Sequence, residues 1–226
     1  MEEDWKTTGG AEPQSFLIYD SGPEAGEERM LIWAAKEGLV HMARNDCWFM
    51  DGNFAMAPDI TKQIYVIRTL LGDSSVSTVY ALLPGKTYEQ YKEMLEAIVA
   101  HCAFLGFNLD PKIIVTDFEA AVIKALQDVF GEEIDTQGCF FHLIQSIWRR
   151  LHYDKLVGLY NSNQDMKFFC GMLAGLALLP LEDVEAGFAY LKANTPEGFE
   201  KLVYYFEKTY VKGELRRIQL PPRQMA

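Results

Sequence analysis

The order in which two hydrophobic periodicities follow one another constrains this chain most. Three strand-like runs come in succession, about Cys47 to Met50, Gln63 to Leu71 and Ser77 to Leu83. The second is rich in Ile, Tyr and Val, and Gly72-Asp73-Ser74-Ser75 supplies a hairpin-like turn between the last two. Pro84-Gly85 stops the third. A helical period then takes over. Tyr88, Tyr91, Leu95, Ile98, Cys102 and Leu105 fall on one face, Thr87 and Gln90 fit a capping box, and Gly106 ends the run. A fourth strand, Lys112 to Thr116, leads to a helix over Phe118 to Phe130. Thr136 to Phe141 reads as a short strand entering a helix over His142 to Leu151. From about Met166 to Tyr210 the pattern is helix after helix, broken at Pro180 and Thr195-Pro196. Upstream, Phe16-Leu17-Ile18-Tyr19 is a candidate short strand, and the spacing of Met30, Leu31, Trp33, Ala34 and Ala35 predicts a helix over Glu24 to Leu39.

Three consecutive strands predict an antiparallel start, and the strands after the first crossover are expected to be parallel. That order matches a ribonuclease-H-like mixed α/β sheet with an all-helical insertion toward the C-terminus. The expected division is a polar segment over 1–27 and one domain over 28–226. Within that domain the sheet core spans about 46–152 and the insertion about 153–210.

With 226 residues, 49% of them hydrophobic, the chain can build a sizeable core. Its formal net charge of -11 argues against coating nucleic acid through bulk charge, while leaving room for local contacts. The four cysteines, Cys47, Cys102, Cys139 and Cys170, show no C-x-x-C pairing, which suits a reducing compartment. The acidic start, Met1-Glu2-Glu3-Asp4, is no secretory signal, and the longest apolar stretch, about Phe168 to Leu179, is too short to span a bilayer. The expectation is a protein that is not secreted and has no membrane partner.

Asp51 and Asp117 stand where two of the strand runs end. Chemistry gathers beyond strand ends in open α/β sheets, and two carboxylates brought together there make a hard oxygen site for Mg²⁺ or Mn²⁺. Each has a plainer explanation. Asp51-Gly52 is a common turn pair, and Asp117 can cap the following helix. Gly52 would let backbone or metal approach closely. Glu119 is most simply a surface acid complementing the helix dipole. Cys139-Phe140-Phe141-His142 is a C-x-x-H that can pack at a helix start, contact phosphate, or serve zinc if further ligands join it. Arg149 and Arg150, and farther on Arg216 and Arg217, form basic clusters able to meet phosphates or simply to solvate helix ends. Trp148 beside the first can stack on a base or pack inside. There is no phosphate-loop, dinucleotide or nucleophile-elbow motif, and Asp51-x-Asn53 lacks the second acid of a D-x-D or D-x-E strand end.

Five segments in order resemble the Mutator-like (MULE) transposase domain. They are Trp48 to Phe54, Val79 to Leu83 with Thr87-Tyr88-x-x-Tyr91, Ile114 to Ala121, Gly138 to Leu143 with Ile147-Trp148-Arg149, and Tyr205 to Tyr210. The resemblance runs from about residue 28 to the end. It implies a D-D-E triad on a ribonuclease-H-like core, with two Mg²⁺ or Mn²⁺ ions cutting and joining DNA at transposon ends. Asp51 matches the first acid and Asp117 the second; Cys139 and His142 match the family's C-x-x-H. The third acid has no clear counterpart. Glu214 is the nearest candidate, in surroundings that resemble the stretch preceding the family's third-acid helix, so the chain reads as a truncated domain. The resemblance further implies nuclear localisation, with the cytoplasm as the alternative, and leaves self-association open. Two other readings stand beside it: a decayed or host-adopted, non-catalytic binding or assembly module, and an unrelated α/β nuclease or phosphatase.

Overall fold

The computed structural model describes residues 5–212. It divides into two compact units, the first ending at Thr136 and the second beginning at Gln137.

The first unit is built on a mixed sheet. Its strands are β1 (Leu17–Asp20), β2 (Leu31–Trp33), β3 (Cys47–Asn53), β4 (Gln63–Leu71), β5 (Ser74–Leu83), β6 (Ile113–Thr116) and β7 (Asp135–Gly138, which runs across the unit boundary), in the order β1-β2-β5-β4-β3-β6-β7. Strands β3, β4 and β5 are antiparallel neighbours, as the three successive runs predict. The β4–β5 turn is tight, Leu71 facing Ser74, and Gly72 takes φ +58, a conformation that glycine adopts at little cost. Strand β6 returns parallel to β3 after a helical crossover, which is what a parallel pair requires.

Three helices, α1 (Lys36–Ala43), α2 (Tyr88–Phe104) and α3 (Ala120–Phe130), bury their apolar faces in one core. Leu39 and Met42 come from α1, Tyr91, Met94, Leu95, Ile98 and Cys102 from α2, and Val122, Ala125 and Leu126 from α3. They pack with Ile32, Trp48, Met50, Tyr65, Ile67, Val79, Ala81 and Ile114 from the sheet. Trp48 is fully buried. Its indole N–H donates to the carbonyls of Met42 and Asn45, and its ring meets Phe130 edge-on at 5.5 Å. The α2 capping box forms in both directions: Gln90 N–H donates to Thr87 Oγ1 at 3.3 Å, and Thr87 N–H to Gln90 Oε1 at 3.2 Å.

One element departs from expectation. The stretch predicted as a helix over Glu24 to Leu39 is a short 3₁₀ segment (Pro23–Glu28), then β2, then the start of α1. Leu31, Ile32 and Trp33 are all buried, because β2 lies between β1 and β5 and its two faces meet different apolar clusters. A strand covered on both faces is apolar without a break, and sequence period alone cannot tell it from a buried helix.

The second unit is helical: α4 (Phe140–Tyr153), α5 (Val157–Ser162), α6 (Gln164–Gly175), α7 (Leu181–Ala193) and α8 (Glu200–Phe206), the last running into a π turn over Glu207–Val211. Helix α4 packs on α6 and α8. Leu143, Ile147 and Leu151, spaced four residues apart on α4, are buried. Phe169 meets Phe199 edge-on at 6.2 Å, and Phe188 stacks on Phe206. Among the described residues no helix is long and apolar enough to cross a membrane.

Candidate active site

The parallel β3–β6 pair sets the level of the two aspartates. Its register is Cys47 to Ile113, Trp48 to Ile114 and Phe49 to Val115. Two residues on from the last pair stand Asp51, still within β3, and Asp117, one residue past the end of β6. Two residues apart in an extended chain means the same face. On β3, Trp48 and Met50 face the core under α1, α2 and α3, so Phe49 and Asp51 lie on the opposite face. On β6, Ile114 faces that core and Thr116 Oγ1 meets Tyr65 Oη at 3.3 Å on the same side. Phe49 and Val115 are cross-strand partners, and Asp51 and Asp117 each follow them by two residues toward the carboxyl ends of these adjacent strands. Asp51 is exposed and Asp117 half-buried.

Asp117 is not the N-cap of α3. The helix begins at Ala120 and Glu119 occupies the cap position. Instead Asp117 Oδ1 accepts the Glu119 N–H at 3.3 Å, closing a tight turn between strand and helix. Nor is Glu119 a free surface acid. Its Oε2 accepts the Tyr91 hydroxyl at 2.7 Å, and its Oε1 takes Lys86 Nζ at 2.7 Å.

Tyr91 is tied in turn to Gln63. The Gln63 carboxamide is 1% exposed and donates to the Gly85 carbonyl at 2.6 Å and to Tyr91 Oη at 3.2 Å. Burial pushes the Tyr91 hydroxyl well above its ordinary pKa, and the charges of Glu119 and Asp117 add to the shift. Tyr65, stacked at a tilt on Tyr91 with ring centroids 5.3 Å apart, is raised by burial as well. Gln63 also explains Gly52. A methyl group there would fall well inside contact with Gln63 Oε1 and 3.1 Å from the Tyr65 ring. The close approach that a glycine beside Asp51 suggests is thus made by Gln63.

Two carboxylates on neighbouring strand ends fit a hard divalent cation as part of its oxygen shell. Among the described residues, no group of three or more His, Cys, Asp or Glu gathers closely enough to hold a metal ion. Glu214, Arg216 and Arg217 lie outside the described residues.

In the second unit, Cys139 is the N-cap residue of α4 and His142 lies in its first turn. Burial pushes the Cys139 thiol up, but hydrogen bonds from the His142 side chain and from the backbone N–H groups of His142 and Phe141 outweigh it. The net shift is downward. Arg150 bonds Asp154 at 2.6 Å and stacks on Tyr153 and Tyr205, at 5.1 and 5.0 Å, so its guanidinium is engaged within the helical unit. Arg149 is exposed. Trp148 sits edge-on to His152 and Tyr160 and is 39% exposed.

Sequence reasoning missed Gln63, Lys86, Tyr91 and the attachment of Glu119. Two signals were present. Gln63 is a polar residue in phase with inward-facing Tyr65 and Ile67, and Tyr91 on a buried helix face needs a partner for its hydroxyl.

No curated protein matches the chain. The family model of the MULE transposase domain matches residues 47–146, which carry β3 through the first half of α4 and hold both aspartates and the C-x-x-H. The match points to transposase-related function. Over residues 47–146 the chain is thus similar to the MULE transposase domain.

Proposed function

We propose that this domain is the catalytic core of a D-D-E DNA transposase with a ribonuclease-H-like fold. Asp51 and Asp117 would be its first two acids, and its partner DNA at transposon ends. The observation that supports this reading is the parallel β3–β6 register, in which Phe49 pairs with Val115 two residues before Asp51 and Asp117 respectively. Strand order supports it too, with three antiparallel strands before a parallel return.

Asp51, on β3 between β4 and β6, and Asp117, just past β6, would be the residues that hold Mg²⁺ or Mn²⁺ ions. When bound, such ions activate a water or a 3′-hydroxyl as nucleophile and stabilise the leaving oxygen. The half-buried setting of Asp117 limits its hydration, and its turn hydrogen bond from Glu119 N–H keeps one oxygen oriented. A third ligand is required and would come from outside the described residues, where Glu214 is one candidate. Arg149 is exposed and available to a phosphate. The protein would act in the nucleus, with the cytoplasm as the alternative.

The test is Mn²⁺ binding, followed by water-proton relaxation, with Mg²⁺-dependent nicking of supercoiled DNA alongside. Asp51→Asn and Asp117→Asn should each abolish ion binding while the melting temperature holds. Unchanged binding in both variants removes these roles.

A second reading, a non-catalytic binding or assembly module derived from a transposase, is favoured by the net charge of -11. DNA cleavage by the 226-residue chain in Mg²⁺ would exclude it.

A further inference from the structure

The two aspartate-bearing segments are joined through the interior by one polar chain. It starts under Gly52, next to Asp51, where the Gln63 carboxamide fills the space a side chain would take. Gln63 is anchored to the Gly85 carbonyl and donates to Tyr91 Oη. The Tyr91 hydroxyl donates to Glu119, Lys86 holds the other Glu119 oxygen, and the Glu119 N–H donates to Asp117. Each link from Gln63 through to Asp117 is within hydrogen-bond distance, and Gln63 is sealed from water, so its amide cannot exchange these partners for solvent at low cost.

A structural explanation covers part of this: buried polar groups must be satisfied somewhere. It does not explain why the chain ends on both acid-bearing segments. Nor does it explain why the turn after Asp117 is held by a lysine and a tyrosine from the β5–α2 connection and α2. That arrangement fixes the β6–α3 turn against β4, the strand on the other side of β3 from β6.

We propose that Gln63, Tyr91 and Glu119 are positioning residues. They hold the Asp117 turn at a set height relative to Asp51, so that two carboxylates on separate strands present one geometry to a divalent cation. This rests on the metal-pair function proposed above. Pre-orientation of this kind matters because outer partners of metal ligands typically change affinity by about 10–100-fold when removed.

The experiment uses the full chain and Mn²⁺ alone as probe. Tyr91→Phe removes the hydroxyl and keeps the ring that packs on Tyr65. It should weaken Mn²⁺ binding by about tenfold with little change in melting temperature. Glu119→Gln should do the same. The Tyr91→Phe/Glu119→Gln double variant should lose little more than either single one, because both break the same chain. Equal Mn²⁺ affinity in wild type and Tyr91→Phe overturns the proposal, as does full multiplicativity in the double variant.

Hydrogen exchange of the Glu119 backbone amide gives a metal-free check. It should quicken about tenfold in Tyr91→Phe as the turn loosens, and an unchanged rate overturns the proposal. A wild type that binds no Mn²⁺, with faster Glu119 exchange in Tyr91→Phe, would sink the metal pair and leave the frame standing.

Discussion

Gly52→Ala isolates the contact that ties Asp51's strand to the buried polar chain. The added methyl would overlap Gln63 Oε1 and crowd the Tyr65 ring at 3.1 Å. Gln63 has two responses. It can stay, in which case the overpacked interior strains by about 1–3 kcal/mol. Or its amide can turn away, surrendering hydrogen bonds to Gly85 and Tyr91 in a site without water, at about 1–3 kcal/mol. The chain takes the cheaper course, so these costs are alternatives. Working the other way, alanine is better than glycine in a strand by roughly 0.5–1 kcal/mol. The net is a destabilisation of about 1–2 kcal/mol, or a melting point lower by about 2–8 °C for a chain this long.

Urea unfolding of wild type, Gly52→Ala, Gln63→Ala and the double variant measures it. If the Gln63 carboxamide is the obstacle, Gly52→Ala should cost almost nothing in the Gln63→Ala background, giving a coupling of about 1–2 kcal/mol. The same cost in both backgrounds, or a stabilised Gly52→Ala, would refute the reasoning.

Two further outcomes follow from the second unit. Lys192 and Lys212 hold the buried Glu207 carboxyl below its usual range, Lys192 at 2.8 and 3.0 Å and Lys212 at 2.9 Å. A lowered folded-state pKa gives stability that is full above the unfolded value and lost as pH falls through the folded one. Glu207→Gln should therefore lose less stability than wild type on acidification through the carboxylate range; parallel declines in urea midpoint would count against the ion pairs. Cys139, whose thiol is shifted down, should alkylate with iodoacetamide well before Cys102 and Cys170, which burial pushes up to about 11. Mass-spectrometric mapping reads the order, and His142→Ala should slow Cys139 several-fold. Earlier labelling of Cys102 or Cys170 would contradict the assignment.

The sequence alone determined the elements whose signals are local. Thr87 and Gln90 announce the start of α2 because a capping box needs only four consecutive residues. Gly72-Asp73 sets the β4–β5 turn because φ at Gly72 is a property of one residue. Asp51 and Asp117 were visible for the same reason, each closing an apolar run. Tertiary structure decided what local patterns leave degenerate. Leu31 to Trp33 became a strand because neighbours cover it on both faces, and no period reports a neighbour. The register that pairs Phe49 with Val115, two residues short of Asp51 and Asp117, joins residues 66 positions apart, and β6 finds it only by docking on β3 after the α2 crossover. Gln63, Tyr91 and Glu119 meet only once that docking is complete. Their hydrogen bonds gain strength from burial, which the folded chain alone supplies.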